Sequence, residues 1–354
     1  MSSLRPARAN PVFDAMAIAD DPRKAANLVP VLEGLGYGRA YFAEASLDVF
    51  SVVGAASQHA TRIELGTDVA IAFARTPMVV AYSAATLQLL NEGRFVLGLG
   101  SQVRGHIVRR FGMPWSAPAE RMRSFVLALR AIWHSWRTGE PLNFVGQDYS
   151  HTLMSPGFAP RLGRLRDPAI HLAGVGPLMT EVAGAVADGF LLHPFHTPET
   201  LRSVTIPALR RGADSAGRTL GDLEVTAQFM GVSGDTDEEM ASARAAARNQ
   251  VAFYGSTPSY ALVLDSCGFG DLHPRLNALS KAGRWNDMAE LVDDELIDAI
   301  CVTGTPAEMV AQARSRSAGL AQRVVITPAP MIGTRTDPDR TMRWYESIAG
   351  AARP

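Results

Sequence analysis

Short apolar runs alternate along this chain with longer segments whose apolar positions recur every three or four residues. The short runs begin at Val12, Arg39, Ile63, Phe95, Ala169, Gly189, Leu223 and Arg323, and nearly every one is followed by a segment of the longer kind. Short apolar runs bounded by turn residues read as strands, and the 3.6-residue period reads as amphipathic helix. The clearest unit is Arg62–Gln102, which reads as strand, loop, helix and strand and has the length of one right-handed βαβ crossover. Its helix starts near Pro77, and its second strand, Phe95–Leu99, has no polar residue to give it a wet face. A strand apolar on both faces belongs in a parallel sheet covered by helices.

Eight such units predict an α/β fold, a (β/α)8 TIM barrel occupying 1–354 as one domain. Three stretches break the alternation and are expected as insertions at approximately 100–118, 141–163 and 254–297. The second is rich in Gly, Pro and aromatics and reads as a hairpin, whereas the third reads as a helical excursion near the barrel mouth. A doubly wound open sheet is disfavoured because no Gly-x-Gly-x-x-Gly follows the first strand.

Composition narrows the partners. With 47% hydrophobic and 19% charged residues, the chain falls among soluble globular proteins with a large core. A net charge of -1 gives no reason to expect nucleic acid or a membrane surface as partner. The opening MSSLRPARANP lacks the apolar centre of a signal peptide, and the two cysteines, Cys267 and Cys301, suit a reducing compartment, so a cytoplasmic location is expected. Those cysteines form no metal-ligand spacing, and no Walker lysine, HExxH or GxSxG is present.

In a parallel barrel, chemistry gathers just beyond the carboxyl ends of the strands. Glu44 falls at the end of the second strand, as a solvated carboxylate or a functional one. Ser101 and Gln102 follow the fourth. After the fifth comes Gly174, Val175, Gly176 and Pro177, opening a helix whose free amide groups suit an anion, although a tight glycine turn without ligand also accounts for these residues. His193 and His196 straddle a Pro-Phe just past the sixth strand, lining a pocket or serving the fold. A histidine with an ordinary pKa near 6.5 trades a proton at neutral pH, which makes this pair the candidate acid or base.

At LGTDV, NEGRFVLGLG and AGVGPLMTEVAGAVADGF the sequence resembles the luciferase-like flavin and deazaflavin oxidoreductases, more narrowly the branch dependent on coenzyme F420. The resemblance runs roughly from Phe13 to Pro328, with GSQVRGHIVRRFGMPWS and FYGSTPSY looking like marks of one subfamily. It implies a bulge with a non-prolyl cis peptide at Asp68 and Val69 supporting the cofactor ring, with Glu44, Ser101 and Gln102 around it and the phosphate-bearing tail against Gly174–Pro177. It implies hydride transfer between F420 and a small organic substrate, with His193, His196 and Glu44 as candidate catalytic groups. A monooxygenase using reduced FMN and oxygen, fed by a separate cofactor reductase, is the rival implication, and a non-catalytic flavin-binding barrel a third. Luciferase-like barrels usually pair through outer helices, which implies a homodimer. The deazaflavin sugar-phosphate dehydrogenases of this superfamily carry a histidine and a glutamate where this chain has Ala45 and Val103, which argues against their reaction.

Overall fold

A computed structural model describes residues 11–329 and 338–353. The first ten residues, on which most of the leader-sequence expectation rests, lie outside the described residues. Eight parallel strands close on themselves: β1 (Val12–Ala17), β2 (Arg39–Phe42), β3 (Glu64–Thr67), β4 (Phe95–Gly100), β5 (Ala169–Gly174), β6 (Gly189–Leu192), β7 (Glu224–Val232) and β8 (Arg323–Pro328). Each pairs with its neighbour in chain order, and β8 returns to β1 through Val12↔Arg323 and Asp14↔Val325. The TIM barrel expected from the alternation is the fold.

An outer ring of helices follows the strands one by one: α1 (Pro22–Leu35), α2 (Val49–Ser57), α3 (Pro77–Leu90), α4 (Pro118–Thr138), α5 (Pro177–Val186), α6 (Ile206–Ser215), α7 (Pro306–Ser317) and α8 (Pro338–Ala352). Several starts are written locally. Asp21, Asp48, Thr76 and Thr305 each cap their helix by accepting a first-turn N–H, and proline sits in the first turn of α1, α3 and α7. The segment read as helix from Thr200 contains a π turn at Leu201–Thr205, placed just before Pro207, which has no N–H to continue an α ladder.

The insertions have shapes of their own. The stretch after β4 carries a short helix, Arg104–Arg109, and the second forms the antiparallel hairpin Phe144–Val145 with Ser150–His151. The third, expected at 254–297, holds a 3-10 turn and four α-helices between Pro258 and Ile300, and packs with the preceding helix, Asp237–Gly255, into a cluster with a separate apolar core around Val251, Leu264, Leu276, Leu296 and Ile297. That core meets the barrel through Phe195, Met230 and Val232, so the cluster rests on the carboxyl ends of β6 and β7. Two short strands escaped the sequence reading: Ala70–Ile71 pairs with the end of β4, and Val302–Thr303 with the end of β7.

Candidate active site at the carboxyl ends of the strands

Strand register brings the separate candidates to one level. Ala17 pairs with Phe42 and Phe42 with Thr67, while Leu192 pairs with Gly174 across β5 and β6. Glu44, Asp68, Ser101, Gln102, the Gly174–Pro177 turn and His193 therefore all follow strand ends on the same rim.

The peptide between Asp68 and Val69 is cis. Two glycines of β4 make room for this bulge. A Cβ on Gly98 would stand 1.8 Å from the Thr67 carbonyl oxygen, and one on Gly100 would stand 2.5 Å from Val69 Cγ2. The Thr67 hydroxyl donates to the Gly98 carbonyl at 2.7 Å, and the Asp68 N–H donates to the Phe42 carbonyl at 2.8 Å. Val69 leans on Met16, Tyr41, Leu191 and Val325, the apolar plug of the barrel lumen. The Asp68 carboxyl has one oxygen fully buried without a partner. Burial pushes its pKa up to about 7, with the Gln228 side chain offsetting part of the rise.

Glu44 is committed to the same bulge. One oxygen accepts from the Ile71 N–H at 2.7 Å, and both engage the Arg75 guanidinium, which also reaches Asp48 at 2.6 Å and lies over the Phe50 ring. This carboxylate is 6% exposed, so the solvated-carboxylate alternative is excluded. Arg75 was not among the residues singled out from the sequence, although the arginine six residues beyond Val69 was visible there. Ser101 and Gln102 bond locally: the Ser101 hydroxyl donates to the Gln102 carbonyl, and the Gln102 side chain accepts from the Val103 N–H. Gln102 has φ 57°, a left-handed conformation rarely taken by a non-glycine residue.

Helix α5 starts at Gly176 with no side-chain cap, so the N–H groups of its first turn are left for a ligand or water. Val175 in this turn packs against the helical cluster.

The two histidines lie in one tight turn with fixed proton positions. The Phe195 N–H donates to His193 Nδ1 at 3.1 Å, so that nitrogen is bare and His193 carries its proton on Nε2. His196 Nδ1 lies 2.9 Å from the His193 carbonyl, which only accepts, so His196 carries its proton on Nδ1. Burial pushes His193 down to about 3, with His196 adding to the effect, and pushes His196 down to about 4 against the favourable carbonyl bond. The expectation of an ordinary histidine titrating near neutrality is corrected by this packing. Tyr254 and Tyr260, from the helical cluster, each place a ring centroid 4.7 Å from that of His193.

Among the described residues no group of three or more His, Cys, Asp or Glu side chains is placed to hold a metal ion, and no helix is long and apolar enough to cross a membrane. A family model described as luciferase-like monooxygenase matches residues 5–323. The chain belongs to that family. An uncharacterised protein of Mycobacterium tuberculosis (strain ATCC 25618 / H37Rv) is 46% identical over 310 residues, covering 87% of this chain and 91% of that one. An F420-dependent glucose-6-phosphate dehydrogenase of Nakamurella multipartita is 36% identical over 201 residues, 56% of each chain. Among solved structures, the coenzyme F420 dependent tetrahydromethanopterin reductase of Methanopyrus kandleri superposes with a TM-score of 0.75 at 20% identity, covering 96% of this chain and 97% of that one. An FMN-bound Type II Baeyer-Villiger monooxygenase of Pseudomonas putida shares the fold as well, with a TM-score of 0.64 at 15% identity, covering 96% of each chain. The luciferase-like family thus comprises F420-dependent and flavin-dependent oxidoreductases, and the bulge, the uncapped α5 and the buried histidines are this member's version of the barrel rim.

Proposed function

We propose that this protein is an F420-dependent oxidoreductase that moves a hydride between the deazaflavin and a small organic substrate. When bound, the deazaflavin supplies the carbon that gives or takes the hydride and so carries the redox chemistry. The chain's own residues bind and orient. The Asp68–Val69 bulge, packed against Gly98 and Gly100, is the place where the family resemblance puts the cofactor ring. Glu44 and Arg75 hold the segment leaving that bulge through the Ile71 N–H. The free first-turn N–H groups of α5 suit an anionic tail, which the helix dipole also favours.

The observation that carries this reading is that a bulge packed against Gly98 and Gly100 and an uncapped helix start lie on one barrel rim. The chain's similarity to an F420-dependent glucose-6-phosphate dehydrogenase and to a putative coenzyme F420-dependent oxidoreductase favours the deazaflavin over FMN. Titrating the purified protein with F420 and separately with FMN, following fluorescence quenching, tests the proposal. F420 is expected to bind at least about tenfold more tightly, a difference of about 1.4 kcal/mol. Equal or tighter binding of FMN would replace this reading with the monooxygenase one.

A further inference from the structure

The mouth of the barrel carries a polar group outside both the Asp68–Val69 bulge and the α5 turn. His193 Nδ1 is taken by the Phe195 N–H, so the imidazole can accept no further proton without breaking that bond. Giving up the Nε2 proton would leave an imidazolate, and among the described residues no cation pairs with the ring. Taking up a proton at Nδ1 therefore costs His193 that hydrogen bond, and the free position of the neutral ring is its Nε2–H. What remains is a donor. Among the described residues nothing accepts from its Nε2–H, and the side chain is part-buried rather than sealed, so that N–H stays available to a ligand.

The walls around it are specific. Tyr254 meets the imidazole edge-on at 77°, Tyr260 lies tilted at 50°, and Phe195 packs against both tyrosines. Burial raises both phenols, that of Tyr260 to about 12, so they are neutral donors at physiological pH. Among the described residues the ionisable groups acting on His193 are these two tyrosines and His196, all uncharged near neutral pH, and the one cation felt in this turn, Arg316, acts on His196. A cluster of aromatic faces with neutral donors recognises an apolar or aromatic body bearing a neutral oxygen. It penalises a carboxylate or phosphate, which would lose its water without gaining a cation.

We propose that His193 is a neutral hydrogen-bond donor to the carbonyl or hydroxyl oxygen of an uncharged substrate, and that Tyr254 and Tyr260 form the aromatic walls of that subsite. The proposal deepens the oxidoreductase reading by naming a substrate class and assigning His193 to substrate rather than to proton transfer. Triosephosphate isomerase offers a precedent for an imidazole that polarises an oxygen while staying neutral.

The test needs neither cofactor nor turnover, so its failure is separate from failure of the F420 reading. Protein labelled with 15N-histidine is followed by NMR from pH 5 to 8, with His193→Gln and His193→Phe used to assign the signals. The His193 resonances are expected to keep the neutral Nε2–H pattern throughout. Acetophenone is expected to shift them and benzoate, with the same ring and a charge, to leave them in place. The Kd for acetophenone should rise about five- to tenfold in His193→Phe and less than threefold in His193→Gln, which keeps an N–H donor. A His193 that titrates between pH 5 and 8 overturns the donor assignment. Benzoate binding as well as acetophenone, or neither ligand moving the signals, overturns the substrate class.

Discussion

The two ends of this barrel are built from the same strands and treat charged groups in opposite ways, although the paired end also leaves two neutral atoms, His171 Nδ1 and Thr226 Oγ1, buried without a partner. At the amino-terminal end, Arg39 bonds Glu64 at 2.6 Å and Glu224 at 2.9 Å, and Arg323 bonds both oxygens of Asp14 at 2.6 and 2.8 Å. Asp14 is 0% exposed and Arg39 4%, yet each meets an opposite charge. His171 beside them is kept neutral, its pKa pushed down to about 3 by burial and then by Arg39. At the carboxyl end the polar groups are left open. Asp68 has an unpartnered oxygen, α5 has no side-chain cap, and His193 keeps a donor without an acceptor. Unsatisfied groups destabilise a fold unless a ligand completes them, whereas a paired network serves the fold alone. In a barrel, that asymmetry separates the end that holds the structure from the end that does the chemistry.

Breaking the paired end should give the largest effect. Arg323→Met removes the bidentate partner of a fully buried carboxylate, whose pKa burial already raises. A loss of about 3–5 kcal/mol of unfolding free energy is expected in urea titration. F420 affinity of the folded fraction should stay within about twofold, since no group on the opposite rim is touched. A larger fall in affinity with unchanged stability would contradict the division between the two ends.

The open end should reveal itself through pH. The Asp68 carboxyl has a folded pKa near 7, above its ordinary 3.8. Between those values the folded state holds a proton that the unfolded chain has released, so stability is full at the acid side and is lost as pH rises through about 7. Asp68→Asn removes that titration, and its unfolding free energy should fall less than the wild type's between pH 4 and pH 7, by about 3 kcal/mol. Parallel pH profiles for the two proteins would show that the carboxyl is not held protonated.

Position was legible in the sequence, and partnership was not. The rim candidates could be found because the strands are short apolar runs closed by Gly, Ser or His, and register then follows from chain order. The bulge at Asp68–Val69 was readable only through resemblance. Its supports lie far along the chain: Glu44, which accepts from the Ile71 N–H, comes 27 residues earlier, and Gln228 comes from β7. His193 shows the limit most clearly. Its place after β6 follows from GFLL, but its proton location depends on one backbone N–H and its lowered pKa on burial among neighbouring rings. Tyr254 and Tyr260 were visible only as part of the unexplained FYGSTPSY.

The finest test of the contrast concerns one position where stability and binding should move in opposite directions. Gly176 caps α5 with φ -78° and ψ 153°, a conformation open to any residue, and a Cβ there would meet nothing within 4 Å. Aspartate suits that place well: its side chain can accept from the Leu178 or Met179 N–H, and its charge faces the positive end of the helix dipole. If the turn serves only the fold, Gly176→Asp should raise stability by about 0.5 kcal/mol and leave everything else alone. If the free amides hold an anionic tail, the same substitution occupies them and places a negative charge where the tail must lie. We expect both effects, a small gain in thermal stability without cofactor and a roughly tenfold loss of F420 affinity. Gly176→Ala, which adds bulk without charge or an acceptor, should lose much less affinity. An aspartate variant that is stabilised and binds F420 as tightly as wild type would make the Gly174–Pro177 turn a plain helix start.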